Sequence, residues 1–222
     1  MSEKMALVIA QPTRAKQQGP APAWQLYRGS QQRLVQDGLR TVWDRFGFRA
    51  LMDEVVLSPL HGPVWAGQVL EPYDFGWKGR PRAEVAEHVR RTAVIERLEA
   101  MVAGYDLVLV LLSRVYLAPL QLPRWVPGRA PQRWLFFASG EGLPFLPLGS
   151  NARLVPAGMA EARRERVKAL DLKAHLFRRL CLDVAGRGEQ ALADAWADSL
   201  PVGRDMVMPS RINHNDQCGG SE

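Results

Sequence analysis

The stretch LSPLHGPVWAGQVLEPYDF, residues 57–75, gathers Ser58, His61, Gly62, Glu71, Tyr73 and Asp74. The apolar run from Glu54 to Ser58 reads as a strand, so Ser58 and His61 stand where that strand hands the chain to a loop. In open α/β sheets ligands bind at the carboxyl ends of strands, which makes these polar groups candidates for chemistry. An imidazole titrates near neutral pH and can carry a proton, so His61 is a candidate acid or base. Glu71 and Asp74 can accept a proton or orient a cation, and Ser58 offers a hydroxyl. The same residues also admit a structural reading. Ser58 then caps a turn, Gly62 supplies a positive φ, His61 fills a hydrogen-bonding niche and the carboxylates are solvated.

Two other strand ends carry polar residues. The chain has five lysines, and one of them, Lys16, follows the apolar run Met5–Ala10 inside a Pro/Gly-containing loop over residues 11–29. A desolvated lysine there can act as a nucleophile or hold a phosphate, whereas an exposed one does neither. Ser113, Arg114 and Tyr116 follow the run DLVLVLL at 106–112. If the three strands are parallel, Lys16, Ser58 and Ser113 share one edge of the sheet.

The elements that would position them are legible from pattern. Val35, Leu39, Val42 and Phe46 recur at helical spacing after Ser30, a candidate N-cap, and Gly47 stops the run. Residues 83–103 read as an amphipathic helix striped by Val94, Leu98, Met101, Val102 and Tyr105. The run at 106–112 does not alternate, as expected of a central strand covered on both faces. Trp134–Ala138 reads as a further strand and Arg153–Val155 as an edge strand, with surface excursions at 119–133 and 140–149. Residues 159–181 read as one helix, 188–199 as another, and 203–222 as a mobile tail. The expectation is a single α/β domain over residues 1–202, with a mainly parallel central sheet and flanking helices.

The 222 residues are 47% hydrophobic and 23% charged, average for a globular chain, so a disordered or collagen-like class is excluded. The formal net charge of +6 is regional. Residues 121–180 carry eleven basic and four acidic side chains, whereas 181–222 carry three and seven. Much of the basic excess falls in the stretch 159–181, where Arg163, Arg164, Arg166, Lys168 and Lys173 lie largely off the apolar stripe. Such a face suits phosphate contacts to nucleic acid, and equally a solvated surface or a base-composition bias toward Arg.

Two cysteines make no disulfide framework, and no spacing suits zinc. There is no GxGxxG, Walker A, GxSxG or His-Glu-x-x-His sequence, so no cofactor or metal is expected. The first apolar run is too short for a signal peptide or a membrane span, and a soluble cytoplasmic protein is the expectation.

Four motifs in order carry a resemblance. They are LVIAQPTRAK with Lys16, then Tyr27-Arg28-Gly29-Ser30, then Ser58-Pro59-Leu60-His61-Gly62 leading to Glu71-Pro72-Tyr73-Asp74, and finally Leu112-Ser113-Arg114-Val115-Tyr116. Over about residues 6–120 this order resembles the YaaA-like peroxide-stress proteins and a related bacterial and phage domain group. That group's core is similar to the lysine-bearing domain of archaeosine synthase. The chain departs from it in having Gln11-Pro12-Thr13 where relatives carry a Cys-Ser pair, and no helix-hairpin-helix element is recognisable.

The resemblance implies a protein that deals with nucleic acid, by acting on a nucleobase or by binding DNA in oxidative-stress defence. Under it, Lys16, Ser58, His61, Glu71 and Asp74 are the candidate catalytic residues. Tyr27, Ser30, Gly62, Tyr73, Ser113 and Tyr116 would contact substrate, a nucleobase-type molecule. Trp24, Tyr27, Trp65 and Trp77 are candidates for base stacking or for ordinary packing.

Overall fold

The computed structural model describes residues 6–126 and 132–202. The first half contains β1 (Ala6–Ala10), β2 (Ala21–Pro22), α1 (Ala23–Leu26), α2 (Ser30–Phe46), β3 (Met52–Ser58), β4 (Gly62–Trp65), β5 (Val69–Leu70), α3 (Arg82–Arg91), α4 (Val94–Val102) and β6 (Leu107–Leu111). The second half contains α5 (Arg114–Leu120), α6 (Leu122–Trp125), β7 (Arg133–Ala138), β8 (Ala152–Pro156), α7 (Met159–Glu165), α8 (Leu172–Arg187), α9 (Glu189–Ala197) and β9 (Leu200–Pro201).

Strand β1 is buried throughout and pairs in parallel with β3 on one side and β6 on the other. The sheet runs β4-β3-β1-β6-β7-β8-β9, with β4 and β9 antiparallel at the edges and the other contacts parallel. Successive side chains of a strand face opposite ways, so β1 needs apolar residues at every position. Ala6, Val8 and Ala10 face α2 and α8, while Leu7 and Ile9 face α3, α4 and α5. Each fully buried aliphatic side chain of this kind contributes about 1.5–3 kcal/mol. The α/β class and mainly parallel sheet expected from the sequence are therefore observed, and β6 is the central strand.

Helices α2 and α8 cover one face and approach closely at Gly38. A Cβ there would lie 3.0 Å from Cys181 Sγ and 3.1 Å from the Arg178 Cα, so a larger residue would push the helices apart.

Several elements differ from the sequence reading. The helix expected over 83–103 breaks at Ala93, which takes a left-handed φ of 47°. On an unbroken helix Val89 and Val94 would diverge by about 140°. The break lets both face the same core, together with Val85, Leu98 and Val102. The helix expected over 159–181 also divides, at Arg166 with φ 56°, and α7 folds back so that Ala162 packs on Leu172. Leu170, placed on the apolar stripe by its spacing, falls in the connection and is 69% exposed. Gly29, not Ser30, occupies the N-cap of α2. The strand at 153–155 is not the edge, because β9 lies beyond it. The tail expected at 203–222 lies outside the described residues.

One buried acid stands out in the α2 and α8 face. Glu54 of β3 is fully buried, accepts a hydrogen bond from Gln32 Nε2 at 3.2 Å, and has no partner for Oε2. Burial raises its carboxyl from its ordinary 4.5 to about 7, against the Gln32 bond and helped by neighbouring Asp53. Between those two values the native state holds a proton that the unfolded chain has released, so this group's contribution is full below pH 4.5 and declines as pH rises toward 7. Glu54→Gln is expected to remove that decline. Urea unfolding at pH 8 should show the variant more stable by on the order of 3 kcal/mol, with the difference near zero at pH 4.

Candidate functional site

The loop after β1 is folded rather than slack. Lys16 and Tyr27 form an antiparallel bridge, flanked by Gln17 N–H donating to Leu26 O at 2.9 Å and Arg28 N–H donating to Ala15 O at 2.8 Å. Strand β2 then pairs antiparallel with β5, and Thr13 Oγ1 accepts from the Gly29 N–H at 2.9 Å. Ala21, Ala23, Leu26 and Tyr27 bury against Val56, Val64 and Leu70, which fastens the loop to β3, β4 and β5. The result sets Lys16 beside the 57–75 stretch.

The centre of the assembly is the Tyr73 hydroxyl. It shares hydrogen bonds with Ser58 Oγ at 2.7 Å and with the Tyr27 hydroxyl at 2.8 Å. Lys16 Nζ lies 4.4 Å from the Tyr73 ring centroid and 5.8 Å from that of Tyr27, cation–π geometry on two rings. Burial lowers the Lys16 ammonium from its ordinary value, Asp74 pulls it back up and Arg14 pushes it down. Burial raises the phenols of Tyr27, Tyr73 and Tyr116, so each keeps its proton at neutral pH and offers a hydroxyl rather than a phenolate. Tyr116 lies within electrostatic range of Tyr73, and its ring stands 5.2 Å from that of Trp77.

The turn from β3 to β4 supports this centre. Ser58 is completely buried, and its Oγ accepts from the His61 backbone N–H at 3.2 Å. Gly62 has φ +72°, and a Cβ there would meet Arg97 Nη1 at 3.0 Å, so the turn and the close approach both require glycine. Arg97 donates to His61 O at 2.7 Å and to Pro63 O at 2.6 Å, clamping the turn from α4. Trp77 Nε1 donates to Pro59 O at 3.0 Å. The His61 ring meets Tyr73 edge-on at 5.2 Å, and its Nε2 is enclosed without a partner. Burial, then the Arg97 charge, lowers the imidazole, which is neutral at pH 7.

Strands β1, β3 and β6 are parallel, so Lys16, Ser58 and Ser113 do follow strand ends at one edge. The residues divide there. Lys16, Tyr27, Ser58, His61, Tyr73 and Tyr116 come together, with Asp74 within electrostatic reach. Ser113 instead donates its N–H to Gln11 Oε1 at 2.6 Å, and Ser30 Oγ donates to Asp171 Oδ1 at 2.5 Å. Glu71 is exposed. Ser58 is enclosed and positions Tyr73 through its hydrogen bond, and the His61 ring packs edge-on against Tyr73. Lys16 is half-buried with its Nζ donating to Arg14 O at 3.4 Å, and Asp74 is exposed. Two crevices are lined by other residues, one by Leu117, Gln121 and Phe145, the other by Gln11, Gln32 and Lys173.

The stacking candidates are engaged in packing. Tyr27 and Trp77 are buried, Trp24 meets Trp43 edge-on, and Arg49 covers Trp65. Arg163, Arg164, Arg166 and Lys168 are exposed on α7 and the connection that follows it. Lys173 is not on that surface, because its ammonium turns inward and donates to Leu112 O at 2.6 Å. Burial lowers it to about 8. Pattern alone did not disclose Gln11 or Arg97, whose roles are backbone contacts across elements distant in sequence. Among the described residues, no helix is long and apolar enough to cross a membrane and no group of His, Cys, Asp and Glu is arranged to hold a metal.

The chain matches no protein-family model and no curated protein. Among solved structures it is similar to RosB with bound intermediate 8-demethyl-8-formylriboflavin-5'-phosphate, at 12% identity and a TM-score of 0.33 over 98% of each chain. A likeness that slight bears on neither fold nor function.

Removing the shared hydroxyl tests the centre. Tyr73→Phe should leave the ring under Lys16 in place while depriving Ser58 and Tyr27 of a partner, and urea unfolding should show a loss of about 1–3 kcal/mol.

Proposed function

We propose that the protein recognises or acts on a nucleobase-type small molecule at the carboxyl edge of its sheet, with Lys16 as the group that meets the ligand. The observation that carries this reading is the placement of Lys16 Nζ 4.4 Å from the ring of Tyr73, a ring locked by Ser58 and Tyr27. A partly desolvated amine is a better nucleophile and a stronger hydrogen-bond donor to a ring carbonyl than a solvated one. Asp74, exposed and within electrostatic reach of Lys16, supplies a carboxylate for ring N–H groups or for proton transfer. The motif order shared with the YaaA-like proteins and with the lysine-bearing domain of archaeosine synthase supports the same substrate class. Nucleobases and nucleosides titrated calorimetrically against the protein should include one that binds, and mass analysis of nucleosides after incubation should register any turnover. Lys16→Ala is expected to weaken that binding about tenfold or more, with Lys78→Ala unchanged. Unchanged affinity and unchanged products in Lys16→Ala would remove the reading.

A second reading rests on a different observation, the exposure of Arg163, Arg164, Arg166 and Lys168 within six residues. It takes the protein as a non-catalytic DNA-binding component of oxidative-stress defence, gripping backbone phosphate without sequence preference. Neutralising Arg163, Arg164 and Arg166 together should then lower the slope of log affinity against log salt by about 3. No affinity for duplex DNA at low salt would dismiss it.

A further inference from the structure

The strand order reverses between β1 and β6. The chain leaves β1 toward α2 on one face of the sheet and leaves β6 toward α5 on the other, which opens a crevice between their carboxyl ends. Ala10 and Leu111 floor it, and Gln11, Gln31, Gln32 and Lys173 line it. This crevice is separate from the Lys16 and Tyr73 cluster, and none of its lining residues has a part in the proposed base recognition.

Its walls are built from the first turns of two long helices. α2 runs for 17 residues and α8 for 16, and neither has an acidic residue in its first turn. Their starts are held side by side by Ser30 Oγ on Asp171 Oδ1 and by Gln31 Nε2 on Leu170 O. The opening N–H groups of a helix have no intrahelical acceptor and carry partial positive charge, so two such ends meeting at one crevice favour an anion. The Asp171 carboxylate opposes this, and the Ser30 hydroxyl occupies one of its oxygens. Lys173 adds a formal charge, and its bond to Leu112 O uses only one of three ammonium protons.

A second observation is independent of the helix ends. Gln32 is 1% exposed and lies on the crevice wall, its Nε2 committed to Glu54, and its Oε1 has no hydrogen-bond partner. A buried carbonyl oxygen left unpaired costs about 1–3 kcal/mol until something donates to it. The crevice is narrow, with about 10 Å3 of enclosed space, enough to admit one water or one oxygen of a ligand seated at its mouth. An anion that also carries a proton would satisfy both the helix ends and Gln32 Oε1, whereas a water would satisfy only the latter.

We infer that this crevice binds phosphate in a protonated form, as free inorganic phosphate or as the terminal group of a phosphomonoester. Its unprotonated oxygens accept from Lys173 and the two helix ends, and its P–OH donates to Gln32 Oε1. Sulfate has the same shape but no proton at neutral pH, so it leaves Gln32 unpaired.

The test uses the whole chain at low ionic strength and pH 6.5. Inorganic phosphate is titrated by calorimetry and by 31P line broadening, with sulfate as the matched control and a nucleoside 5'-monophosphate beside its nucleoside. The expected result is saturable phosphate binding that sulfate fails to displace, weakened about tenfold or more in Lys173→Gln. Tighter binding of the monophosphate than of free phosphate would assign the site to a larger ligand, and the reverse would assign it to the free ion. Absence of saturable phosphate binding by the unmodified protein, or equal affinity for sulfate, overturns the inference without reference to any variant. Retained affinity in a folded Lys173→Gln protein also overturns it. Lys16→Ala should leave phosphate binding unchanged, which keeps this outcome apart from that of the base-recognition reading.

Discussion

Strand β1 is hydrogen-bonded on both edges, to β3 and to β6, with all three chains running the same way. That constraint commits much of the molecule. With both backbone edges paired and both faces covered, β1 itself holds only small and aliphatic side chains, and its polar followers begin where the strand ends, whereas the neighbouring β3 carries buried Asp53 and Glu54. Parallel neighbours end together, so the polar residues that follow β1, β3 and β6 collect at one edge. Lys16, Ser58, Gln11 and Ser113 are placed there by this geometry rather than by attraction for one another.

At that edge the chain meets a second requirement. Polar groups enclosed by loops and helix starts must find partners, and most do. Tyr73 serves Ser58 and Tyr27, Arg97 serves two carbonyls of the β3–β4 turn, and Gln11 links Ser113 to Gln31. His61 Nε2, Gln32 Oε1 and Glu54 Oε2 are exceptions. In a low-dielectric interior a satisfied network is rigid and an unsatisfied atom is costly, so the exceptions carry more information about ligands than the satisfied bonds do. One of these residues, Gln32, lies on the wall of the crevice between β1 and β6, and its Nε2 bonds Glu54 of β3.

How much was legible follows from the range of each interaction. The apolar runs at 6–10, 107–111 and 134–138 were readable because burial on both faces leaves no room for alternation. The motif order puts Lys16, Tyr27, Ser30, Ser58, His61, Glu71, Tyr73, Asp74, Ser113 and Tyr116 in one group. Of these, Lys16, Tyr27, Ser58, His61 and Tyr73 meet, while Ser30 and Ser113 turn to other partners and Glu71 is exposed. The helix over 83–103 was misread because its break at Ala93 carries no glycine or proline, and only the need to turn Val89 and Val94 to one core explains it. The basic stretch at 159–181 was misread for the same reason at Arg166. That break separates the exposed cations at 163–168 from Lys173, which spacing had put among them.

The sequence by itself determined the class of fold, the central strand and the set of polar residues that must lie beyond the strand ends, because strand periodicity and burial act over a few residues. Tertiary structure alone decided which of those residues touch. Tyr73 bonds Tyr27 across 46 positions and Ser30 bonds Asp171 across 141, although Tyr27 and Ser30 are three apart in the chain. The start of α2 falls between them, and it sends one side chain toward the hydroxyl cluster and the other toward α8. The basic stretch at 163–173 likewise divides, into exposed basic side chains at 163–168 and the inward-turned ammonium of Lys173. The helix break at Arg166 and the bond to Leu112 O, a partner 61 positions away, make that difference, and the resulting desolvation lowers the Lys173 ammonium.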